Sequence, residues 1–198
     1  MGRGSQGTNR YFIALGSNLG DREAALKQAW SMLAPICEST RLSRIYETRP
    51  MYVADQPLYL NAVGEAVSPA EPPEMLASLH RIEQSLGRDR SREIRMGPRP
   101  IDLDILLCNA IIMNGPELTI PHPRITERMF VLVPLLELAP DLRDPRTGTP
   151  YSRVRAALQG AEDATVGMPQ DRGGGNAASS RRGNAASSRR GVYLYTPR

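Results

Sequence analysis

Residues Tyr11–Leu15 form an unbroken apolar run closed by Gly16, the pattern of a strand buried on both faces. Behind Asp21, a candidate N-cap, Leu26, Ala29, Trp30 and Leu33 recur at helical spacing and predict an amphipathic helix of about 13 residues. Two further strands are expected near residues 40–47 and 58–67, with a Pro- and Tyr-containing loop from Arg49 to Pro57 between them. A second helix opens at Pro72-Pro73, carries Met75, Leu79, Ile82 and Leu86 on one face and stops at Gly87. After an arginine-rich loop, Ile101–Leu107 reads as a strand, and helices are expected at about 129–138 and 151–158. The order β-α-β-β-α-β, with both helices on one side of a mostly antiparallel sheet, predicts an α+β fold of the ferredoxin-like sandwich type.

The strand Ile101–Leu107 also carries the first chemistry. Period-two geometry puts Asp102 and Asp104 on one face, roughly 7 Å apart along the chain, and Ile101, Leu103, Ile105 and Leu107 on the other. Two carboxylates this close repel unless a cation lies between them, and hard oxygen ligands suit Mg²⁺. The alternative is a solvated pair on an exposed strand face. Arg88, Arg90, Arg92, Arg95 and Arg99 precede that strand, between Gly87 and Gly97-Pro98. Guanidinium forks match phosphate oxygens, although a charge run partly balanced by Asp89 and Glu93 is also an ordinary solvated loop. Beside a metal-binding strand, such a loop supplies what polyphosphate transfer requires, cations for oxygens and a lid against water.

Gly16-Ser17-Asn18-Leu19-Gly20-Asp21 lacks the Lys-Ser/Thr ending of a P-loop, and Lys27, inside the first helix, is the single lysine. His80 falls within the second helix and reads as structural. His122, in the stiff Ile120-Pro121-His122-Pro123-Arg124 segment, could donate to a phosphate, and it has no Ser or Cys partner that would make a hydrolytic triad.

Composition changes the picture mainly at the C-terminus. The net charge is +4, yet residues 160–198 hold six arginines against three acids, so residues 1–159 are nearly neutral. That segment repeats Gly-Asn-Ala-Ala-Ser-Ser-Arg-Arg at 175–182 and 183–190. Too little apolar surface is available there to offset ordering entropy, so disorder is expected from about residue 160, with Tyr193-Leu194-Tyr195 as a short docking element and a weak anion- or RNA-binding tail as the alternative. Met1–Arg10 has no apolar stretch of a secretory signal, Gln6 stands where a myristoylation motif wants Ser or Thr, and Phe130–Ala139 is too short and interrupted to span a bilayer. Cys37 and Cys108 lack metal or redox spacing and read as buried thiols in a reducing cytoplasm.

Several blocks taken together resemble one family, the 6-hydroxymethyl-7,8-dihydropterin pyrophosphokinases of folate synthesis. They are Leu15-Gly16-Ser17-Asn18-Leu19-Gly20, Tyr46-Glu47-Thr48 with Pro50, Asp55-Gln56-Pro57-Leu58-Tyr59-Leu60-Asn61-Ala62, and Ile82-Glu83 with Gly87-Arg88. Gly97-Pro98-Arg99-Pro100-Ile101-Asp102-Leu103-Asp104, Pro121-His122-Pro123 and Arg128-Met129-Phe130 complete the set. The resemblance covers residues 10–159 as one domain. It implies Mg²⁺-dependent transfer of pyrophosphate from ATP to the pterin hydroxymethyl group, releasing AMP. It implies two Mg²⁺ ions on Asp102 and Asp104, with Arg88 and Arg99 acting in catalysis. ATP would be met by Glu83, Arg90, Arg99, His122 and Arg128. The pterin would lie between Tyr59 and Phe130, with Thr48, Pro50 and Asn61 at its edges. A cytoplasmic monomer without nucleic-acid or membrane partners is expected.

Met96 stands where the family often has Trp, and the arginine loop is about one residue longer than in some relatives, which leaves the roles of Arg90, Arg92 and Arg95 open. Two rival readings are an RNA-binding module, which lacks its aromatic strand motif here, and a non-catalytic relative, against which the intact Asp102-Leu103-Asp104 stands.

Overall fold

The computed structural model describes residues 7–51, 55–91, 97–166 and 191–196. The first apolar run is the middle of β1 (Asn9–Ser17), whose neighbours β4 (Tyr59–Ser68) and β5 (Asp102–Cys108) both pair with it antiparallel. Beyond β4 lies β3 (Tyr46–Thr48), and β2 (Ser39–Leu42) also pairs with β4. The sheet is completed at its far edge by β8 (Val192–Leu194), giving the path β5-β1-β4-β3-β8. A separate two-stranded ribbon joins β6 (Met113–Asn114) to β7 (Thr119–Ile120).

One sheet face is covered by α1 (Arg22–Leu33) and α2 (Pro72–Ser85). Leu26, Ala29 and Leu33 of α1 and Met75, Leu79 and Ile82 of α2 pack with Tyr11, Ile13, Leu15, Leu103 and Ile105 in one buried cluster. Each fully buried Leu or Ile contributes roughly 1.5–3 kcal/mol from removal of apolar surface from water. Asp21 caps α1 by accepting from the Ala24 amide at 3.1 Å. At α2 the prolines expected at the helix start are bracketed by a reciprocal Glu71–Glu74 capping box, which the hydrophobic pattern does not show. Gly87, at φ +87°, follows the Leu86 cap as expected for a left-handed stop. Gly64 is required by Trp30, because a Cβ there would lie 2.1 Å from the indole.

The two-layer arrangement expected from the helix order gains a third layer. Helices α3 (Met129–Leu138) and α4 (Tyr151–Val166) cover the opposite face, where Phe12, Val63, Leu106 and Leu107 pack with Val131, Leu132, Leu135 and Tyr151. Because α3 is apolar on nearly every side, it is suited to lie between the sheet and α4 rather than at the surface.

Three further expectations change. The single strand at 40–47 is two strands, because the register with β4 shifts by one residue between Leu42–Gly64 and Tyr46–Asn61. Ser43 fills the gap, its Oγ accepting from the Val63 amide at 3.0 Å. Helix α4 runs to Val166 rather than stopping near 158, and Val192–Leu194 is a strand, so structure continues past the expected boundary at residue 160. The duplicated repeat lies outside the described residues. Among the described residues no helix is long and apolar enough to cross a membrane.

Candidate active site

The sheet face under α3 opens at one end into a cavity of about 160 Å³, lined from β1, β3, β4, β5 and the start of α3. Gly16 sits between Asn61 on β4 and Asp102 on β5, so three strands present their residues side by side. A Cβ on Gly16 would touch Asn61 Oδ1, Asp102 Cβ and the Tyr59 ring at 3.4–3.9 Å, so the glycine leaves the space between these groups open.

Two irregularities aim the lining. The one-residue shift between β2 and β3 turns Tyr46 and Thr48 onto the face of Asn61, because each residue of register slip moves a strand's side chains to the other face. The register of β5 slips between Phe12 and Ile13, leaving Leu106 as the extra residue, and the Leu106 carbonyl accepts from the His122 amide at 2.9 Å. Neither bulge was legible in the hydrophobic pattern.

The acidic pair faces the cavity as the alternation predicted. Arg88 Nη1 donates to Asp102 Oδ1 at 2.5 Å and Arg99 Nη1 does so at 3.3 Å. Burial works against ionising Asp102, but the charges of Arg88 and Arg99 outweigh it and hold its carboxyl below the ordinary value. Asp104 has less compensation, since its only ion-pair partner among the described residues is Arg128 at 4.0 Å. Desolvation, followed by the Asp102 charge, pushes it up to about 7. A divalent cation between the two would favour both ionised forms, and no group of three or more His, Cys, Asp or Glu among the described residues offers another metal site. Two carboxylates with water and phosphate oxygens completing the shell form a donor set that fits Mg²⁺.

Behind this pair lies Glu83, 1% exposed. Its carboxylate accepts from Arg88, from Arg90 at 2.5 and 3.2 Å and from the Leu103 amide at 2.8 Å. Expected as a nucleotide contact, Glu83 instead ties α2 to the strand of the acidic pair. Arg88, expected to meet phosphate, is likewise buried and spans Glu83 and Asp102. Neither lines the cavity, and nor do Arg90 and His122.

Arg99, Arg128, Tyr59, Asn61, Thr48, Pro50 and Phe130 all line it. Asn61 Nδ2 donates to Thr48 Oγ1 at 2.7 Å, leaving the Asn61 carbonyl oxygen toward Gly16. Tyr59 donates to the Gly97 carbonyl at 3.4 Å, and burial raises its pKa. The Arg128 guanidinium lies 5.6 Å over the Phe130 ring, and its buried Nε has no protein acceptor among the described residues. At His122 the Nδ1 atom accepts from the Arg124 amide at 3.1 Å, which leaves the proton on Nε2. Burial, then Arg128 and Arg124, lowers the imidazole to about 4, so it is a neutral donor at ordinary pH. Arg92, Arg95 and Met96 lie outside the described residues.

Sequence reasoning missed several contributors. Arg49, Gln56 and Arg124 also line the cavity; Gln56 stands inside the Asp55-Gln56-Pro57 block and Arg124 ends the Ile120–Arg124 segment. Asn18 is 1% exposed and clamps two loops. Its Oδ1 accepts from the Arg99 amide at 2.7 Å, its own amide donates to the Arg99 carbonyl, and its Nδ2 donates to Gln56. Its signal was the short polar turn directly after a buried strand.

The family model described as 7,8-dihydro-6-hydroxymethylpterin-pyrophosphokinase matches residues 12–140. The 2-amino-4-hydroxy-6-hydroxymethyldihydropteridine pyrophosphokinase of Bacillus subtilis is 44% identical over 141 residues, covering 70% of this chain and 83% of that one. The mitochondrial folate synthesis bifunctional protein of Pisum sativum is 47% identical over 127 residues, 64% of this chain but 24% of that protein. In three dimensions the chain is similar to Plasmodium falciparum HPPK-DHPS crystallised with pteroate, at a TM-score of 0.64 and 15% identity, covering 81% of this chain and 44% of that one. That likeness concerns the fold.

Proposed function

The chain belongs to the 7,8-dihydro-6-hydroxymethylpterin-pyrophosphokinase family and is a pyrophosphokinase, and from that premise we propose that it transfers the terminal pyrophosphoryl group of ATP to 6-hydroxymethyl-7,8-dihydropterin for folate synthesis. The hydroxymethyl oxygen attacks the β-phosphorus, the bond from that phosphorus to the α-phosphate oxygen breaks, AMP leaves, and the hydroxyl proton passes to solvent. One observation carries the reading: the carboxylates of Asp102 and Asp104 open into the same cavity as Tyr59, Asn61 and Phe130. A clamp for polyphosphate and a slot for a flat heterocycle with polar edges are thereby adjacent.

Tyr59 and Phe130 offer the ring faces for the pterin, and the Asn61 amide, oriented by Thr48, offers polar atoms to its edge. Arg99 and Arg128, both on the cavity wall, neutralise phosphate oxygens, and the unpaired Nε of Arg128 suits an anionic acceptor. His122, which does not line the cavity wall itself, would offer its neutral Nε2–H to phosphate beyond that wall. Asp102 and Asp104 would hold Mg²⁺, two ions in the full reading, and the metal would supply neutralisation of the charge that shifts onto the leaving α-phosphate. Arg88 and Glu83 work as positioning residues that keep Asp102 in place. Much of the rate enhancement then comes from alignment of the two substrates in one cavity.

The reading includes a cytoplasmic monomer without nucleic-acid or membrane partners. Incubation of the purified chain with Mg²⁺, ATP and the reduced hydroxymethylpterin, followed by identification of the nucleotide product, tests the reaction. AMP in step with the pterin diphosphate is expected. Production of ADP, or no turnover by folded protein, overturns it.

A further inference from the structure

Of the residues expected to set the pterin edge, Thr48 lies on a short strand and Pro50 just beyond it, while Asn61 is on the longer β4. β3 is three residues long, it is followed directly by Arg49, Pro50 and Met51 of the cavity wall, and without β8 it would be an edge strand. Holding such a segment in one conformation costs about 1–2 kcal/mol of backbone entropy per residue.

The C-terminal segment compensates for this. Val192, Tyr193 and Leu194 lie opposite Thr48, Glu47 and Tyr46, and the Tyr195 amide donates to the Ile45 carbonyl at 2.9 Å. In antiparallel pairing hydrogen-bonded pairs alternate, so the bond at Tyr195 makes Tyr193 opposite Glu47 the next bonded pair. Val192 and Leu194 fall on the face of Thr48 and Tyr46, and the half-buried Tyr195 packs on the cluster formed by α1, α2 and the sheet. Tyr46 is further fixed from α3, its hydroxyl donating to Glu137 at 2.7 Å.

We propose that residues 191–196 are a positioning element of the pterin subsite: by pairing with β3 they hold Thr48, and through it Asn61, in the binding conformation before substrate arrives. This rests on the pterin reading above. It also gives a structural role to residues beyond 160, where disorder is expected from the sequence. The nucleotide side of the cavity, built on β5 at the opposite end of the sheet, is independent of this strand.

The test is equilibrium binding of 6-hydroxymethylpterin, followed by its fluorescence, and separately of Mg²⁺ with a non-hydrolysable ATP analogue. Three variants are compared with the full chain: one ending at Arg190, Tyr193→Pro and Tyr193→Ala. Tyr193 is 55% exposed, so alanine removes little packing and keeps the amide, whereas proline removes the donor facing Glu47. The truncation and Tyr193→Pro should weaken pterin binding about fivefold, the size expected for re-ordering one or two side chains on binding, with nucleotide affinity unchanged and Tyr193→Ala like the full chain. Should the truncated chain fail to fold, Tyr193→Pro decides. Unchanged pterin affinity in the folded variants, or equal loss for both ligands, overturns the inference. A full chain that does not bind the pterin overturns the functional reading instead.

Discussion

At one end of the sheet β5 carries Asp102 and Asp104 against a buried ionic network, while at the other end β3 carries Thr48 on three residues of backbone pairing. The Glu83 and Arg88 side chains are 1% and 5% exposed, and through the Leu103 amide and Asp102 this buried charged pair joins α2 to β5. At the opposite edge, Thr48 and Asn61 share a neutral hydrogen bond, and the strand beneath them relies on a partner from the far end of the sequence. The difference follows from the ligands each end is read to meet. A polyphosphate clamp must keep like charges together and needs strong internal counter-charges; a slot for a neutral ring needs only defined shape and a few oriented polar atoms.

The contrast can be broken first at the clamp. Asp102→Ala and Asp104→Ala should each lower AMP formation by about 10³-fold or more, the scale of losing a principal group that stabilises transition-state charge, with the far-ultraviolet circular dichroism unchanged. A variant retaining a tenth of the activity would show that these carboxylates do not hold the phosphates. Next comes the support of each end. Glu83→Ala leaves Arg88 and the Leu103 amide without their shared acceptor and should cost about 3–5 kcal/mol in urea unfolding. Thr48→Val removes one neutral hydrogen bond and should cost about 1 kcal/mol. Similar losses at the two ends would remove the distinction drawn between them.

A pH dependence adds a further test. Because the folded imidazole of His122 is lowered to about 4 while an unfolded one titrates near the usual value of about 6.5, its contribution to stability is fully present above about pH 6.5 and is lost as pH falls toward 4. Proton NMR should find the His122 ring resonances flat from pH 8 down to about 5.5. A midpoint near 6.5 would show that the neutral Nε2 donor is wrong.

Much of this was legible along the chain. The alternation in Ile101–Leu107 put both aspartates on one face, and Tyr59 and Asn61, two apart, share theirs. Asp21, Pro72 and Gly87 marked helix ends that the backbone uses. These are local signals, set by strand period, cap chemistry and fixed dihedral preferences, and they need no knowledge of neighbours. Along the chain Arg88 reads as a catalytic group and Glu83 as a nucleotide contact, because charge and block position name a residue type, not the direction in which its side chain points.

By itself the sequence determined the main helices and the central strands, the family and the identity of most cavity residues, because periodicity and turn chemistry act over a few residues. Tertiary structure alone decided which charges face the cavity and which brace it, through the packing of α2 against β5. It also decided the two register shifts that turn Thr48 inward and give His122 its anchor at Leu106. The pairing of Val192–Leu194 with Tyr46–Thr48 belongs to the same class. The order of this C-terminal segment comes from the strand edge it meets and from Tyr195 on the core, and that edge is created by residues nearly 150 positions away.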